Sequence, residues 1–316
     1  MQISLKNIEE AHQRIAPYIH RTPVLTSKSI NEIAGCNLFF KCENFQKIGA
    51  FKIRGALNAA LSLTKEQLQN GLATHSSGNH AQAIAFAAKQ LDTKAYIVMP
   101  DNSPAVKVNA VKGYGAEITF CAPNQAAREA ALQKIVDATG ATFIHAYDDH
   151  RVITGQSTCV KELIEDIQNL TAIIAPVGGG GLLSGTCLSA DYLLPGVPVF
   201  AAEPEGAADA VLSIKSGRVE KASFINTIAD GLLTTLSPNT LSIIKSHISN
   251  IFLVTDEEIK AAMKLLYERM KIVVEPSSAV TLAAVLKNKE LFTGKNVGVI
   301  VSGGNVDLVK FNEWFG

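Results

Sequence analysis

The chain lacks net charge: 29 Lys and Arg stand against 29 Asp and Glu. Without a basic excess there is no long-range field for a nucleic-acid backbone or an anionic membrane surface, so neither is an expected partner. It also lacks any Cys-x-x-Cys pair, and its cysteines (Cys36, Cys42, Cys121, Cys159, Cys187) are odd in number. That argues against a zinc ribbon or a disulfide framework and for reduced thiols. No apolar run reaches membrane-spanning length, and the opening Met1-Gln2-Ile3-Ser4-Leu5-Lys6-Asn7 lacks the apolar core of a signal peptide. The cytoplasm is the expected compartment. No tandem repeat, low-complexity tract or Pro/Gly-rich linker separates independent domains.

What is present is a well-buried composition, 47% hydrophobic and 18% charged over 316 residues, enough for one large domain or two intimate ones. Short β-prone runs recur at Asn37–Lys41, Leu72–His75, Ala95–Met99, Glu117–Cys121, Thr142–His145, Ala172–Pro176, Val199–Ala202 and Val297–Val301. Helical patterns such as Ala81–Leu91, Ala126–Thr139 and Gly155–Ile167 lie between them. The alternation predicts an α/β protein with largely parallel sheets, whose strand-end loops carry the ligand.

Four segments stand out. Lys52 sits in Gln46-Lys47-Ile48-Gly49-Ala50-Phe51-Lys52-Ile53-Arg54-Gly55-Ala56. Three polar, Gly-bearing loops accompany it: Ser76-Ser77-Gly78-Asn79-His80, Gly178-Gly179-Gly180-Gly181 and Ser302-Gly303-Gly304-Asn305. Taken singly, each has an ordinary explanation as a surface lysine, a helix cap or a turn. Jointly, one lysine and three such loops suit a phosphorylated aldehyde: an amine for the carbonyl, and backbone N–H groups at a helix start for the phosphate.

On these motifs, from Thr22-Pro23-Val24-Leu25-Thr26-Ser27 to Ser302-Gly303-Gly304-Asn305-Val306-Asp307, the chain resembles the fold-type II pyridoxal-phosphate enzymes. Within them it is similar to the group of serine racemases, serine/threonine dehydratases and 3-hydroxyaspartate dehydratases. The resemblance implies a tryptophan synthase β-like fold, two open twisted sheets flanked by helices. A small domain at residues 71–148 would sit inside a large domain made of 1–70 and 149–316. It makes Lys52 the Schiff-base lysine, with Phe51 packing near the cofactor ring, Asn79 bonding its hydroxyl, Gly178, Gly179, Gly180 and Gly181 holding the phosphate, and Ser302 facing the ring nitrogen. Ser76, Ser77, Asn79 and His80 would receive the substrate carboxylate, and Arg128 matches a substrate-reaching position of the racemase.

The implied reaction removes the α-proton of a β-hydroxy amino acid through Lys52, expels the hydroxyl, and releases a 2-oxo acid and ammonia. Racemisation needs a second acid on the opposite face. Ser77 matches it, where dehydratases of this group often have alanine. Glu203-Pro204-Glu205-Gly206-Ala207-Ala208-Asp209 offers carboxylates and carbonyls for Mg²⁺ or Ca²⁺, and matches the racemase pattern at Glu203, Ala207 and Asp209. A homodimer is also implied. Tyr147 replaces an asparagine near the racemase nucleotide site, so ATP regulation is not expected, and with the sequence ending at Gly316 the regulatory domain of biosynthetic threonine deaminases, and feedback by isoleucine, are not expected either. The competing readings are a β-replacement synthase acting on an activated serine and a cofactor carrier without turnover.

Overall fold

The computed structural model describes residues 3–103 and 105–316. Ten strands alternate with helices: β1 (Val24–Leu25), β2 (Asn37–Cys42), β3 (Leu72–His75), β4 (Ala95–Pro100), β5 (Glu117–Cys121), β6 (Thr142–Phe143), β7 (Ala172–Pro176), β8 (Val199–Pro204), β9 (Ile248–Val254) and β10 (Asn296–Val301). They form a six-stranded sheet in the order β1-β2-β10-β7-β8-β9 and a four-stranded sheet in the order β5-β4-β3-β6. All pairings are parallel except the antiparallel β1–β2 edge. This is the expected α/β class, and the strand order places chain-distant strands side by side.

The larger sheet is covered on both faces, which is why its central strands read as continuous apolar runs. In β7 every residue is buried, as is every residue of β10 after Asn296. Helix Pro276–Lys287 and the Phe200, Phe252 and Phe292 rings lie within one core cluster, while Leu163, Leu183 and Ile244 lie in another. The smaller sheet uses alanine-rich packing from helix Asn79–Gln90. β5 is its exposed edge, with Phe120 49% exposed.

The predicted strands all form, Leu72–His75, Glu117–Cys121 and Ala172–Pro176 with the expected ends and the others with ends shifted by one or two residues. β6 is shorter than expected, paired with β3 only at Thr142 and Phe143, although the Ile144 N–H still donates to the Ala73 carbonyl. Two strands have no counterpart in the periodicity. β1 is only two residues long, and β9 begins with an irregular, half-exposed stretch where its register against β8 shifts.

Candidate active site

The site is built on loops that leave parallel strands and enter helices. Lys52 opens helix Lys52–Leu61. Its Nζ donates to the Ala146 carbonyl at 2.9 Å and lies 5.1 Å from the Phe51 ring centroid. Burial lowers the Lys52 pKa to about 8, against a smaller opposing pull from Glu275. An amine so placed is partly neutral near neutral pH, the state in which nitrogen is a nucleophile or a base.

The segment that receives Lys52 also shapes the glycine loop. Directly after Ala146, Tyr147 packs so close to the loop that a Cβ on Gly179 would lie 2.3 Å from its ring and one on Gly181 2.9 Å from its Cβ. Asp148 accepts from Ser237 Oγ and Asn239 Nδ2 at 2.8 Å each, and Thr240 Oγ1 donates to the Gly179 carbonyl at 3.0 Å. Gly180 needs a left-handed backbone, φ 88°, to turn β7 into helix Gly181–Leu193. Among the described residues, the N–H groups of Gly178, Gly179, Gly180 and Gly181 donate to no protein acceptor. Unfilled donors at the start of a 13-residue helix fit a phosphate dianion.

A second set of open donors begins helix Asn79–Gln90. Gly78 at its N-cap supplies no side chain, and the N–H groups of Ser77, Asn79 and His80 have no protein acceptor among the described residues. Ser76 is tied in, its N–H donating to the Val98 carbonyl and its Oγ accepting from Gly78. The Ser77 hydroxyl is half-buried and bonds to none of the described residues. Such a helix start suits a carboxylate.

Asn79 links this loop to the rest. Its Nδ2 donates to both Glu275 oxygens at 3.0 Å, and its Oδ1 accepts from Asn305 Nδ2 at 2.8 Å. Glu275 is buried and pushed up to about 7, chiefly by burial. Ser302 is buried, shares a 3.0 Å hydroxyl–hydroxyl contact with Ser278, and accepts through its carbonyl from the Phe51 N–H. Lys52 is thus linked through Ala146 and Tyr147 to the glycine loop, and through Phe51 to Ser302.

Two candidates sit differently. His80 turns inward: its Nε2–H donates to the Ile144 carbonyl, its Nδ1 has no partner among the described residues, and burial lowers its pKa to about 3. Only its backbone N–H is placed for a substrate carboxylate. Arg128, on helix Gln125–Thr139, lies near His75 and Cys121, and its Nε is buried without a partner among the described residues. Glu275 and the bonding role of Asn305 were missed in the sequence. The available signal was weak, a lone glutamate before Pro276 at the start of an otherwise apolar helix.

The metal candidates adjoin one another at the end of β8. Glu203 accepts from the N–H groups of Ala210 and Val211 at 2.7 and 3.1 Å, and Ala207 ends the turn before helix Asp209–Ser216. The buried Asp209 Oδ2 has no partner among the described residues. Burial pushes Glu203 up to about 8 and Asp209 to about 6. Among the described residues no group of three His, Cys, Asp or Glu side chains forms, so a cation here would draw on carbonyl oxygens as well. An orphaned carboxylate oxygen fits that need.

Comparison with known proteins follows the same lines. A family model described as pyridoxal-phosphate dependent enzyme matches residues 15–303. Serine racemase of Dictyostelium discoideum is 54% identical over 98% of this chain and 97% of its own. Its crystal structure superposes with a TM-score of 0.93, covering 96% of this chain and 99% of that one. A β-hydroxyaspartate dehydratase of Paracoccus denitrificans is 51% identical over 95% of both chains. A threonine deaminase crystal structure, from T.th., is 40% identical with a TM-score of 0.92, covering 96% of this chain and 99% of that one.

Proposed function

This chain belongs to the pyridoxal-phosphate dependent enzymes, and on that premise we propose that it is an ammonia-lyase for a small β-hydroxy amino acid with serine racemase activity. The observation that carries the reading is a partly desolvated amine, Lys52, set between two helix starts whose Gly178–Gly181 and Ser77, Asn79 and His80 N–H groups are unfilled among the described residues. L-Serine, L-threonine and 3-hydroxyaspartate are the substrates proposed, since relatives named for serine, threonine and hydroxyaspartate chemistry all share the fold.

Pyridoxal phosphate, when bound, supplies an electron sink for the substrate α-carbon. The residues around it do the rest. Gly178 to Gly181 would hold its phosphate, Asn79 its hydroxyl and Ser302 its ring nitrogen. The Ser77, Asn79 and His80 N–H groups orient the substrate carboxylate. Lys52 Nζ takes the α-proton, helped by a pKa of about 8 that leaves the amine partly neutral. Ser77, whose hydroxyl is uncommitted among the described residues, returns a proton to the other face when the configuration inverts.

Residues 71–148, which contain the four-stranded sheet, are taken as a small domain over a large domain of 1–70 and 149–316. Glu203, Asp209 and the Ala207 carbonyl are taken as a Mg²⁺ or Ca²⁺ site, supported by the orphaned Asp209 oxygen. Five free cysteines support a reducing cytoplasm, and no described helix is long and apolar enough to cross a membrane. A homodimer is proposed on the resemblance to the racemase group.

The test is oxo-acid and ammonia release from the three amino acids, combined with the configuration of serine recovered from deuterated water. Wild type should release oxo acid and place deuterium at inverted serine. Ser77→Ala should lose the inverted, labelled serine and keep part of the elimination. Turnover of none of the three would overturn the lyase reading, and undiminished inversion in Ser77→Ala would assign the second face to another acid.

A further inference from the structure

The helix that carries Lys52 has no local reason to begin where it does. Phe51, at the N-cap position, is itself in helical conformation and provides no side-chain cap. Gly55, a poor helix former, closes the first turn. The start is fixed from outside, on two sides.

Toward the cleft, Ile48 is held at φ 59°, a left-handed conformation that a β-branched residue resists. Its carbonyl accepts from Asn305 Nδ2 at 2.8 Å, and Ala50 bridges Gly303 just before the Phe51–Ser302 bond. Away from the cleft, Arg54 enters a fully buried charge cluster. Its Nε and Nη2 donate to Glu43 at 2.7 and 2.8 Å, and its Nη1 and Nη2 donate to Glu162 at 2.8 Å each. The fifth N–H goes to Thr158 Oγ1 at 3.1 Å. All five guanidinium donors are filled, by two carboxylates presented edge-on and one hydroxyl. Lys41 Nζ balances the second carboxylate at 2.8 Å and also donates to the Thr22 carbonyl.

Net stability does not account for such a cluster, because apolar residues of equal volume commonly hold a fold as well or better. What an apolar filling cannot supply is a single orientation. A planar fork with every donor satisfied fixes rotation of the helix about its axis. Depth is set separately by backbone contact, since a Cβ on Gly155 would lie 2.5 Å from the Arg54 carbonyl oxygen. Rotation and depth together place the Lys52 Cα.

We propose that Arg54, clamped by Glu43 and Glu162, is a positioning residue for Lys52: it holds the first helical turn at the angle from which the amine reaches both cofactor and substrate α-carbon. The inference rests on Lys52 being the cofactor lysine. A long side chain can swing between two tasks only from a fixed root, and a misplacement of about 1 Å can lower rate by about 10²-fold.

Arg54→Lys tests it in the holoenzyme, because charge is kept while five coplanar donors become three on one nitrogen. The readouts are kcat and KM per bound cofactor, the visible circular dichroism of the cofactor, and melting temperature. Expected are a kcat lower by about tenfold or more, a KM within about twofold, and an altered dichroic band in folded protein. Thr158→Val, which removes one of the five bonds at constant volume, should show the same pattern at about threefold. It decides the matter should Arg54→Lys not fold. A lower melting temperature with unchanged kcat per bound cofactor and an unchanged dichroic band would mean a purely structural role and overturn the proposal. A wild-type protein that binds no cofactor at Lys52 would instead overturn the function on which it rests.

Discussion

Lys52 and Arg54 are cations on the first turn of one helix, and their surroundings are opposite. Arg54 faces two carboxylates and a hydroxyl, with every donor used, and against the pull of burial these partners hold its pKa well above its ordinary value. Lys52 faces one neutral carbonyl, and burial lowers its pKa to about 8. The same contrast runs through the molecule. Around Arg54 the polar groups close on one another, as a structural charge requires. In the cleft the glycine-loop N–H groups, those of Ser77, Asn79 and His80, and the Ser77 hydroxyl are left open among the described residues. Groups left open inside a fold are reserved for something that is not protein.

The comparison can be broken by exchanging the two losses. Lys52→Ala should lower turnover by at least about 10³-fold, since it would remove both the covalent attachment and the base proposed there. It should leave the melting temperature of the cofactor-free protein unchanged or raised, because an underpartnered amine is removed. Arg54→Met should do the reverse to stability, costing about 3–5 kcal/mol by leaving Glu43 and Glu162 short of a counter-charge. Denaturant unfolding of both variants without cofactor checks this. Equal destabilisation would erase the distinction.

A smaller effect is expected at the boundary between cleft and scaffold. Gly179→Ala must push the Tyr147 ring, which already sits edge-on to His145 at 4.6 Å between centroids. The cost should be about 1–3 kcal/mol, read mostly as weaker cofactor binding in equilibrium dialysis. Cofactor affinity equal to wild type would show that the loop can yield.

The mildest test separates the regions by pH. The Lys52 pKa is lowered on folding, from 10.5 to about 8. Below about 8 the amine is charged in both states and carries its burial penalty; between about 8 and 10.5 it is neutral only when folded, so stability of the cofactor-free protein should rise with pH there. Lys52→Ala should flatten that rise. Glu162 is opposite: burial would raise its pKa, but His12, Arg54 and Lys41 outweigh burial and hold it well below its ordinary 4.5. Its contribution is present above 4.5 and is lost as pH falls through the folded value. Acid unfolding should therefore begin at higher pH in Glu162→Gln, where that contribution is already gone. Stability curves from about pH 3 to about 10.5 measured without cofactor test both windows.

Local residue pattern was enough for eight of the ten strands and for the loops proposed to do the chemistry. A buried parallel strand needs a short apolar run whatever its neighbours, so β7 and β10 were legible. A glycine loop before a helix exposes its own backbone, so Gly178 to Gly181 announced themselves, as did Lys52 through its company. Tertiary structure alone decided what depends on partners far apart in the chain. Glu275 meets Asn79 across 196 residues, and Arg54 meets Glu162 across 108. It also turned His80 inward and set Arg128 beside His75. Periodicity records which face of an element is buried, but not which distant charge will be buried against it. That is why nothing local marks Arg54, while the fold supplies all five of its bonds.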